Sequence, residues 1–493
     1  MADLILGIDI GTTAVKAGVI GTDGRMLAGF SETYPTQRPA PGIAEQDPAD
    51  WLARLDAALL RLTAEGRSAR LRAVGVTSQV NTHLFLDAAG RPLMPAITWQ
   101  DTRAAAEAAE LDATVSPEQR LAWWGAPMPI DASHALARML WTARHRPALW
   151  AQTRHVVLPK DYALLHLTGE LRTDPLSNIG LTDAAGGYIP GVLALVPGAA
   201  DRMAPLAAPA EAAGRGRPGG PIAGLPVVTG TMDGWCALFG AGGAAEGAGV
   251  HVSGTSEVLG ICAAAVHPTP GVIVFPSLGG LRLHAGPTQA GGAALAWFCG
   301  WAGLSAEAAS EQVAARRRRA LTPLFLPQLQ GERAPLWDAA LRGAFLGLDQ
   351  ASDRTDLARA VMEGVALSAR HALAAVQGSA GVVPEVLTCG GGGFRSEVWM
   401  RIRTDVHGRP MRRLSVNEPG LLGAAALAAQ GAGLASSLAA AHAALARFEP
   451  PMMPDPALRG LYDDLFGLYT GAISANARSH AALLALAARA ATL

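Results

Sequence analysis

No excess of one charge marks this 493-residue chain: 40 Lys and Arg face 41 Asp and Glu, which removes the electrostatic case for nucleic acid or an anionic membrane as a partner. Cysteine is scarce. The four present, Cys236, Cys262, Cys299 and Cys389, lie too far apart for a metal-type pair, so reduced thiols are expected. The twelve histidines form no His-Glu-x-x-His and no Cys/His cluster, and no structural metal is indicated. Long apolar runs are missing as well. The mean hydropathy of +0.22 comes from Ala rather than from Leu, Ile and Phe. The least polar stretch, Leu421 to Leu445, is interrupted by Gln430, Ser436, Ser437 and His442 and reads as buried helices rather than a membrane span. Asp3 stands where a signal peptide would carry base, so a cytoplasmic location is expected.

What the chain does have is a duplicated turn. Gly7-Ile8-Asp9-Ile10-Gly11-Thr12-Thr13 is echoed by Val252-Ser253-Gly254-Thr255-Ser256, each a short apolar strand entering a Gly-Thr turn and leaving as a second strand, Val15 to Ile20 and Val258 to Cys262. A turn that brings backbone N–H groups against phosphate oxygens needs Gly at the closest approach. Gly11, Thr12, Thr13, Gly254, Thr255 and Ser256 therefore read as two nucleotide-phosphate turns. Asp9 ends a buried strand, where a carboxylate is costly unless it is paired or meets a cation; a Mg²⁺ carried by the nucleotide meets that need.

Short β-branched runs alternate with Ala-rich helical patterns. Leu71 to Thr77, Pro226 to Thr229, Val250 to Ser253 and Val386 to Cys389 are predicted strands; Pro48 to Leu62, Asp353 to Val376 and Leu421 to Gln430 are predicted helices. A layered α/β architecture follows, and the length predicts two large domains or a few smaller ones. The Pro/Gly-rich Pro205 to Pro226 segment reads as a loop, and the Gly-rich passage Gly240 to Gly249 marks the change of half, giving domains 1–245 and 246–493. The basic run Arg316 to Arg319 reads as a solvated helix end.

The motifs together resemble the FGGY carbohydrate kinases, of the sugar kinase, Hsp70 and actin superfamily. Beside GIDIGTT they include EQDP (Glu45 to Pro48), ITWQDTR (Ile97 to Arg103), LPKDY (Leu158 to Tyr162), VVTGTMDG (Val227 to Gly234) and VSGTSE (Val252 to Glu257). FLPQLQGERAPLW (Phe325 to Trp337), GAFLGL (Gly343 to Leu348), LARAVMEGVA (Leu357 to Ala366) and CGGGGFRSEVW (Cys389 to Trp399) follow in the family's order. Within the family the motifs are most similar to those of xylulokinases. The resemblance implies two ribonuclease-H-like α/β domains with a central cleft, the first binding sugar and carrying the catalytic Asp, the second binding ATP. It also implies a soluble homodimer that binds a small sugar, ATP and Mg²⁺.

By that resemblance Asp233 is the general base and, with Asp9, a Mg²⁺ ligand. Gly390, Gly391, Gly392 and Arg395 pack against adenine and ribose, where glycines let a flat base approach the backbone. Gln79, Val80, Asn81, Trp99, Asp101 and Asp233 line the sugar. The implied reaction is in-line transfer from Mg-ATP to a pentulose such as D-xylulose, giving the 5-phosphate. Two alternatives stay open: another ketose, polyol or aldonate, such as ribulose, gluconate or a glycerol-like acceptor, and an actin- or Hsp70-like ATPase without sugar chemistry. The segment Gln79-Val80-Asn81-Thr82-His83 departs from the Gln-Met-His-Gly of typical xylulokinases, Gly234 replaces their usual Asn, and Arg138 stands where the family commonly has Lys.

Overall fold

Leu4–Ile10 is buried along its whole length apart from half-buried Asp9, as an unbroken apolar run implies for a strand covered on both faces. It is the centre of the first of two units into which the chain divides. In the computed structural model, which describes residues 3–64, 67–125, 128–243, 245–278, 280–415 and 418–490, this unit comprises Met1–Ala244, Phe275–Arg282 and Glu418–Arg447. The second comprises Ala245–Val274, Leu283–Asn417 and Phe448–Leu493.

The two units repeat one topology. In the first sheet Leu4–Ile10 pairs antiparallel with Ala14–Gly21 and parallel with Leu71–Ser78, which in turn pairs parallel with Pro226–Val228. Met26–Thr33 and Ala212–Arg215 lie at the two edges of this sheet. In the second sheet Gly249–Ser253 pairs antiparallel with Glu257–Ala263 and parallel with Leu387–Gly390, which pairs parallel with Met411–Arg413. Each Gly-Thr turn thus closes a hairpin whose first strand is also the parallel centre of its sheet, the duplicated ribonuclease-H-like α/β arrangement expected from the sequence.

Helices cover the sheets where apolar periodicity predicts them. Pro48–Thr63 starts on an Asp47 cap whose Oδ1 accepts from Ala49 N at 2.9 Å, with Pro48 in its first turn. It buries Trp51, Leu55, Ala58, Leu59 and Leu62 at helical spacing, and these join the core of the first sheet. Arg354–Ala380, capped by Asp353, is the long core helix of the second unit.

Three expectations change. Ala212–Arg215, inside the segment read as a loop, is an edge strand on Pro226–Val228. The run Arg316 to Arg319 follows rather than ends the Ala306–Ala314 helix. It is solvated at Arg317 but also paired: Arg316 and Arg319 meet Asp353, Asp349 and Asp356, and Arg318 meets Glu363 at 3.0 Å, clamping the start of Arg354–Ala380.

Finally, Glu418–Arg447, counted by sequence within 246–493, lies in the first unit, as does Phe275–Arg282. For the helix Pro419–Gly431 the reason is backbone-on-backbone packing. A Cβ at Gly75 would lie 2.0 Å from the Ala424 carbonyl oxygen, and one at Gly423 would lie 1.8 Å from that of Cys236. Only glycine admits so close a dock. No helix among the described residues is long and apolar enough to cross a membrane, and all four cysteines are buried and free.

Candidate active site

The first Gly-Thr turn is fastened from several directions. Gly11 N donates to Ala14 O at 3.1 Å, Tyr34 Oη donates to Gly11 O, and Trp99 Nε1 donates to Thr12 Oγ1 at 3.0 Å. Gln46 Nε2 donates to Thr12 O at 2.8 Å, and Gln79 Nε2 donates to Gln46 Oε1 at 2.8 Å. The expected phosphate residues Gly11 and Thr12 are therefore wired to the expected sugar residues Gln79 and Trp99.

Asp9 sits one strand position before this turn, opposite Lys16 in the hairpin register. Its Oδ1 is buried without a hydrogen-bond partner. Burial first, then the nearby carboxylate of Asp233, pushes its pKa up to about 7, against the pull of Lys16. Lys16 in turn is held 2.8 Å from Glu418, which the Pro419–Gly431 dock delivers.

Asp233 opens the helix Asp233–Gly240. Burial lifts its pKa to about 6, while Gly234 N, donating to Oδ1 at 2.7 Å, works the other way. The turn before it is rigidly built. Gly230 has φ +67°, and a Cβ there would lie 1.7 Å from Val76 O. Thr231 Oγ1 donates to Asp174 Oδ2 at 2.7 Å. Fully buried Lys160 bridges Asp161 and Asp174 at 2.7 and 2.8 Å. Burial works against its ammonium, but the two carboxylates more than offset that and raise its pKa.

A cation accompanying a nucleotide fits Asp9, whose unpartnered oxygen and raised pKa both mark a carboxylate lacking a counter-charge. Asp233 adds a second carboxylate near it. Among the described residues no three His, Cys, Asp or Glu side chains converge as a metal cage.

Among the remaining sugar-lining candidates, Asn81 is half-buried at φ 51°, and Val80 is half-buried beside it. Asp101 is tied into the protein. Its Oδ2 accepts from Ala44 N and Arg103, and its Oδ1 accepts from Arg103 N and Nε, so both oxygens brace the protein. Arg103 also reaches Glu45 at 2.8 Å.

In the second unit Gly254 and Thr255 are exposed and Ser256 half-buried at the other Gly-Thr turn, with Gly254 N donating to Ser256 O at 2.9 Å. The run from Gly390 packs directly beside it. Gly391, at φ +93°, would place a Cβ 2.4 Å from Ser253 O, and Gly393 one 2.0 Å from Ser253 Oγ. Gly392–Phe394 is a 3-10 turn, and the next helix, Glu397–His407, begins after Arg395 on a Ser396 cap. Exposed Arg395 lines, with Gly391, Phe394 and Glu449, a cavity of about 250 Å³.

Behind both loops lies a buried charge network. Arg403 NH2 meets Glu257 Oε1 at 2.5 Å, Ser253 Oγ donates to the same oxygen at 2.7 Å, and His251 Nε2 lies 2.8 Å from Glu257 Oε2. Burial opposes the carboxylate, but Arg403 and His251 outweigh it and hold Glu257 at a pKa of about 2. Removing one partner strands the other as a buried charge. Arg403→Met should therefore cost about 3–5 kcal/mol and raise KM for ATP more than KM for sugar, checked by urea unfolding and by steady-state kinetics.

Sequence reasoning missed Lys16, Gln46, Ser133, Lys160, Glu418 and Arg403. For two of them a signal existed. The chain contains only two lysines, Lys16 and Lys160, among its 40 basic residues, and both stand where a compact ammonium pairs with carboxylates.

Two α/β units of one topology, each with a Gly-Thr turn closing its central hairpin, define the architecture shared by sugar kinases, Hsp70 and actin. The chain belongs to the FGGY family of carbohydrate kinases: residues 4–240 match the family's N-terminal domain and residues 249–432 its C-terminal domain. It is 31% identical over 443 residues to a xylulose kinase of Escherichia coli (strain K12), covering 86% of this chain and 89% of that one. It is 30% identical over 482 residues to a glycerol kinase of Aromatoleum aromaticum, covering 92% and 95%. Among solved structures it is similar to a xyloylose kinase from Brucella ovis, with a TM-score of 0.87, 30% identity, and 96% and 99% coverage. The protein is a carbohydrate kinase.

Proposed function

We propose that this kinase transfers the γ-phosphoryl group of ATP to a pentulose such as D-xylulose, giving the 5-phosphate, with Asp233 as general base. The observation that carries the reading is the pair of carboxylates in the first unit: Asp233 at the head of its helix with a pKa of about 6, and Asp9 with an unpartnered oxygen. A base poised near the working pH takes a hydroxyl proton efficiently. Asp233 Oδ2 accepts that proton as the sugar oxygen attacks phosphorus in line with the departing ADP oxygen. A Mg²⁺ carried by ATP would be held by the Asp9 and Asp233 side chains and would offset the charge of the phosphates. Thr12 and Thr13 supply N–H and hydroxyl donors to the transferred group, beside Gly11, whose own N–H closes the turn on Ala14 O. Thr255 and Ser256 do so for the remaining phosphates, beside Gly254, whose own N–H closes its turn on Ser256 O, and Gly390, Gly391, Gly392 and Arg395 take the nucleoside. Gln79, Val80, Asn81 and Trp99 line the sugar.

The similarity to xylulose kinases supports the pentulose, and the glycerol kinase relative makes a shorter polyol the rival. ADP release measured across pentuloses, hexuloses, polyols and aldonates decides between them. The expected result is the highest kcat/KM with a pentulose; a higher value with glycerol or an aldonate would overturn the substrate while leaving the kinase intact.

A further inference from the structure

Two hydrogen-bond relays in the first unit end on groups that cannot donate, and each leaves an amide oxygen at its free end. In the first, Gln46 Nε2 donates to the main-chain oxygen of Thr12 and to Thr36 Oγ1, both at 2.8 Å. A carbonyl only accepts, so the nitrogen of Gln46 faces Thr12 and its oxygen faces Gln79. Gln79 must then donate Nε2, which lies 2.8 Å from Gln46 Oε1. Its own Oε1 is left buried and unpartnered, in a residue 1% exposed.

In the second relay Asp131 Oδ1 accepts from Ser133 N at 2.8 Å and from Ser133 Oγ at 2.6 Å. The serine proton is committed to the carboxylate, so Ser133 Oγ turns a lone pair to Asn81, which donates Nδ2 at 3.0 Å. Asn81 Oδ1 remains. Buried Arg138 donates to the Asn81 main-chain oxygen and to Ile97 O and Thr98 O, so the residue is held at φ 51° by its backbone as well as by its side chain.

We propose that Gln79 and Asn81 are locked as hydrogen-bond acceptors, so that the site selects a neutral polyol or ketose whose hydroxyls donate to both amide oxygens and rejects a carboxylate at that end. The inference rests on the reading that these two residues line the sugar. A buried acceptor left unmade is costly, and a carboxylate or carbonyl brought against it adds repulsion. Asp131 and Ser133 are positioning residues, acting only through Asn81.

The test uses the native enzyme with its best sugar from the panel and, as competitive inhibitors, deoxy and deoxyfluoro analogues of that sugar at each carbon other than the one phosphorylated. Fluorine keeps a weak acceptor and loses the donor. At the carbons contacted, the fluoro analogue should bind as poorly as the deoxy analogue, about tenfold or more below the parent. A fluoro analogue binding as well as the parent at every carbon would show that the amides donate, and overturns the proposal. In parallel, Ser133→Ala frees the Asn81 amide and should raise KM for sugar by about 5- to 10-fold, with a smaller change in kcat and none in KM for ATP, and Ser133→Thr should restore it. If Asn81→Ala raises the sugar KM and Ser133→Ala does not, the relay is wrong and the sugar-site reading stands. If Asn81→Ala also leaves the sugar KM unchanged, that reading itself fails.

Discussion

Asp233→Asn is expected to lower kcat by about 10²- to 10⁴-fold with little change in KM for ATP, because the amide keeps the size of the carboxylate and cannot take the proton. The native enzyme should show the same group in its pH profile. Burial raises the Asp233 pKa to about 6, so the base is ionised above that value. Log kcat/KM should fall with unit slope as pH drops below about 6, and that limb should vanish in the variant's residual activity. Stopped assays with purified protein at saturating sugar from pH 5 to 8 check both. Near-native turnover of Asp233→Asn would remove Asp233 from the chemistry.

Asp9→Asn should abolish measurable phosphorylation without recovery at high sugar concentration, and should at the same time stabilise the ligand-free protein at neutral pH. The second half follows from linkage. In the folded chain Asp9 has a pKa of about 7, raised from its ordinary 3.8 chiefly by burial and then by Asp233. A raised folded pKa means that the folded state binds the proton more tightly. Its contribution to stability is fully present below about pH 4 and is lost as pH rises through 7. Asn carries no charge and escapes that loss, so the Tm difference, variant minus native, should grow between pH 4 and 7 and then level off. Each kcal/mol relieved is worth about 2–4 °C in a domain of 150–250 residues. Mg-ATP should narrow the gap by stabilising only the native enzyme. A variant less stable than the native protein at pH 8 would show that Asp9 is not an uncompensated carboxylate; full activity would show that it takes no part in handling Mg-ATP.

The sites of both substitutions were legible in the sequence, since Asp9 lies in GIDIGTT and Asp233 in VVTGTMDG, and strand-turn punctuation by Gly and Thr is a local property of the backbone. The same holds for the strands around Leu71 to Thr77 and Val386 to Cys389 and for the capped helix from Pro48, where apolar periodicity and an Asp-Pro start act within one element. The long helix from Arg354 was legible, but not its clamp. A run of four arginines carries no information about acids 30 to 45 residues downstream, so Arg316 to Arg319 looked solvated although the fold pairs Arg316, Arg318 and Arg319 with carboxylates.

Asp101 shows the converse. The motif Ile97 to Arg103 marked it as a residue of consequence, and only the fold shows that both of its oxygens are taken by Arg103 and Ala44 N.

By itself, then, the sequence determined the two Gly-Thr turns, Asp9 beside the first of them and Asp233 after the Gly230-Thr231 turn, the main core strands and three of the helices, and the carbohydrate kinase family, because each is written in contiguous residues. Tertiary structure alone decided that Pro419–Gly431 docks on the first sheet through glycines, bringing Glu418 to Lys16. It alone drew Gln46 between Thr12 and Gln79, and Ser133 between Asp131 and Asn81. The physical reason is range. Backbone propensity and periodicity act over a few residues, whereas the direction of a hydrogen bond and the ionisation of a buried carboxylate depend on groups that meet only when distant segments pack and exclude water.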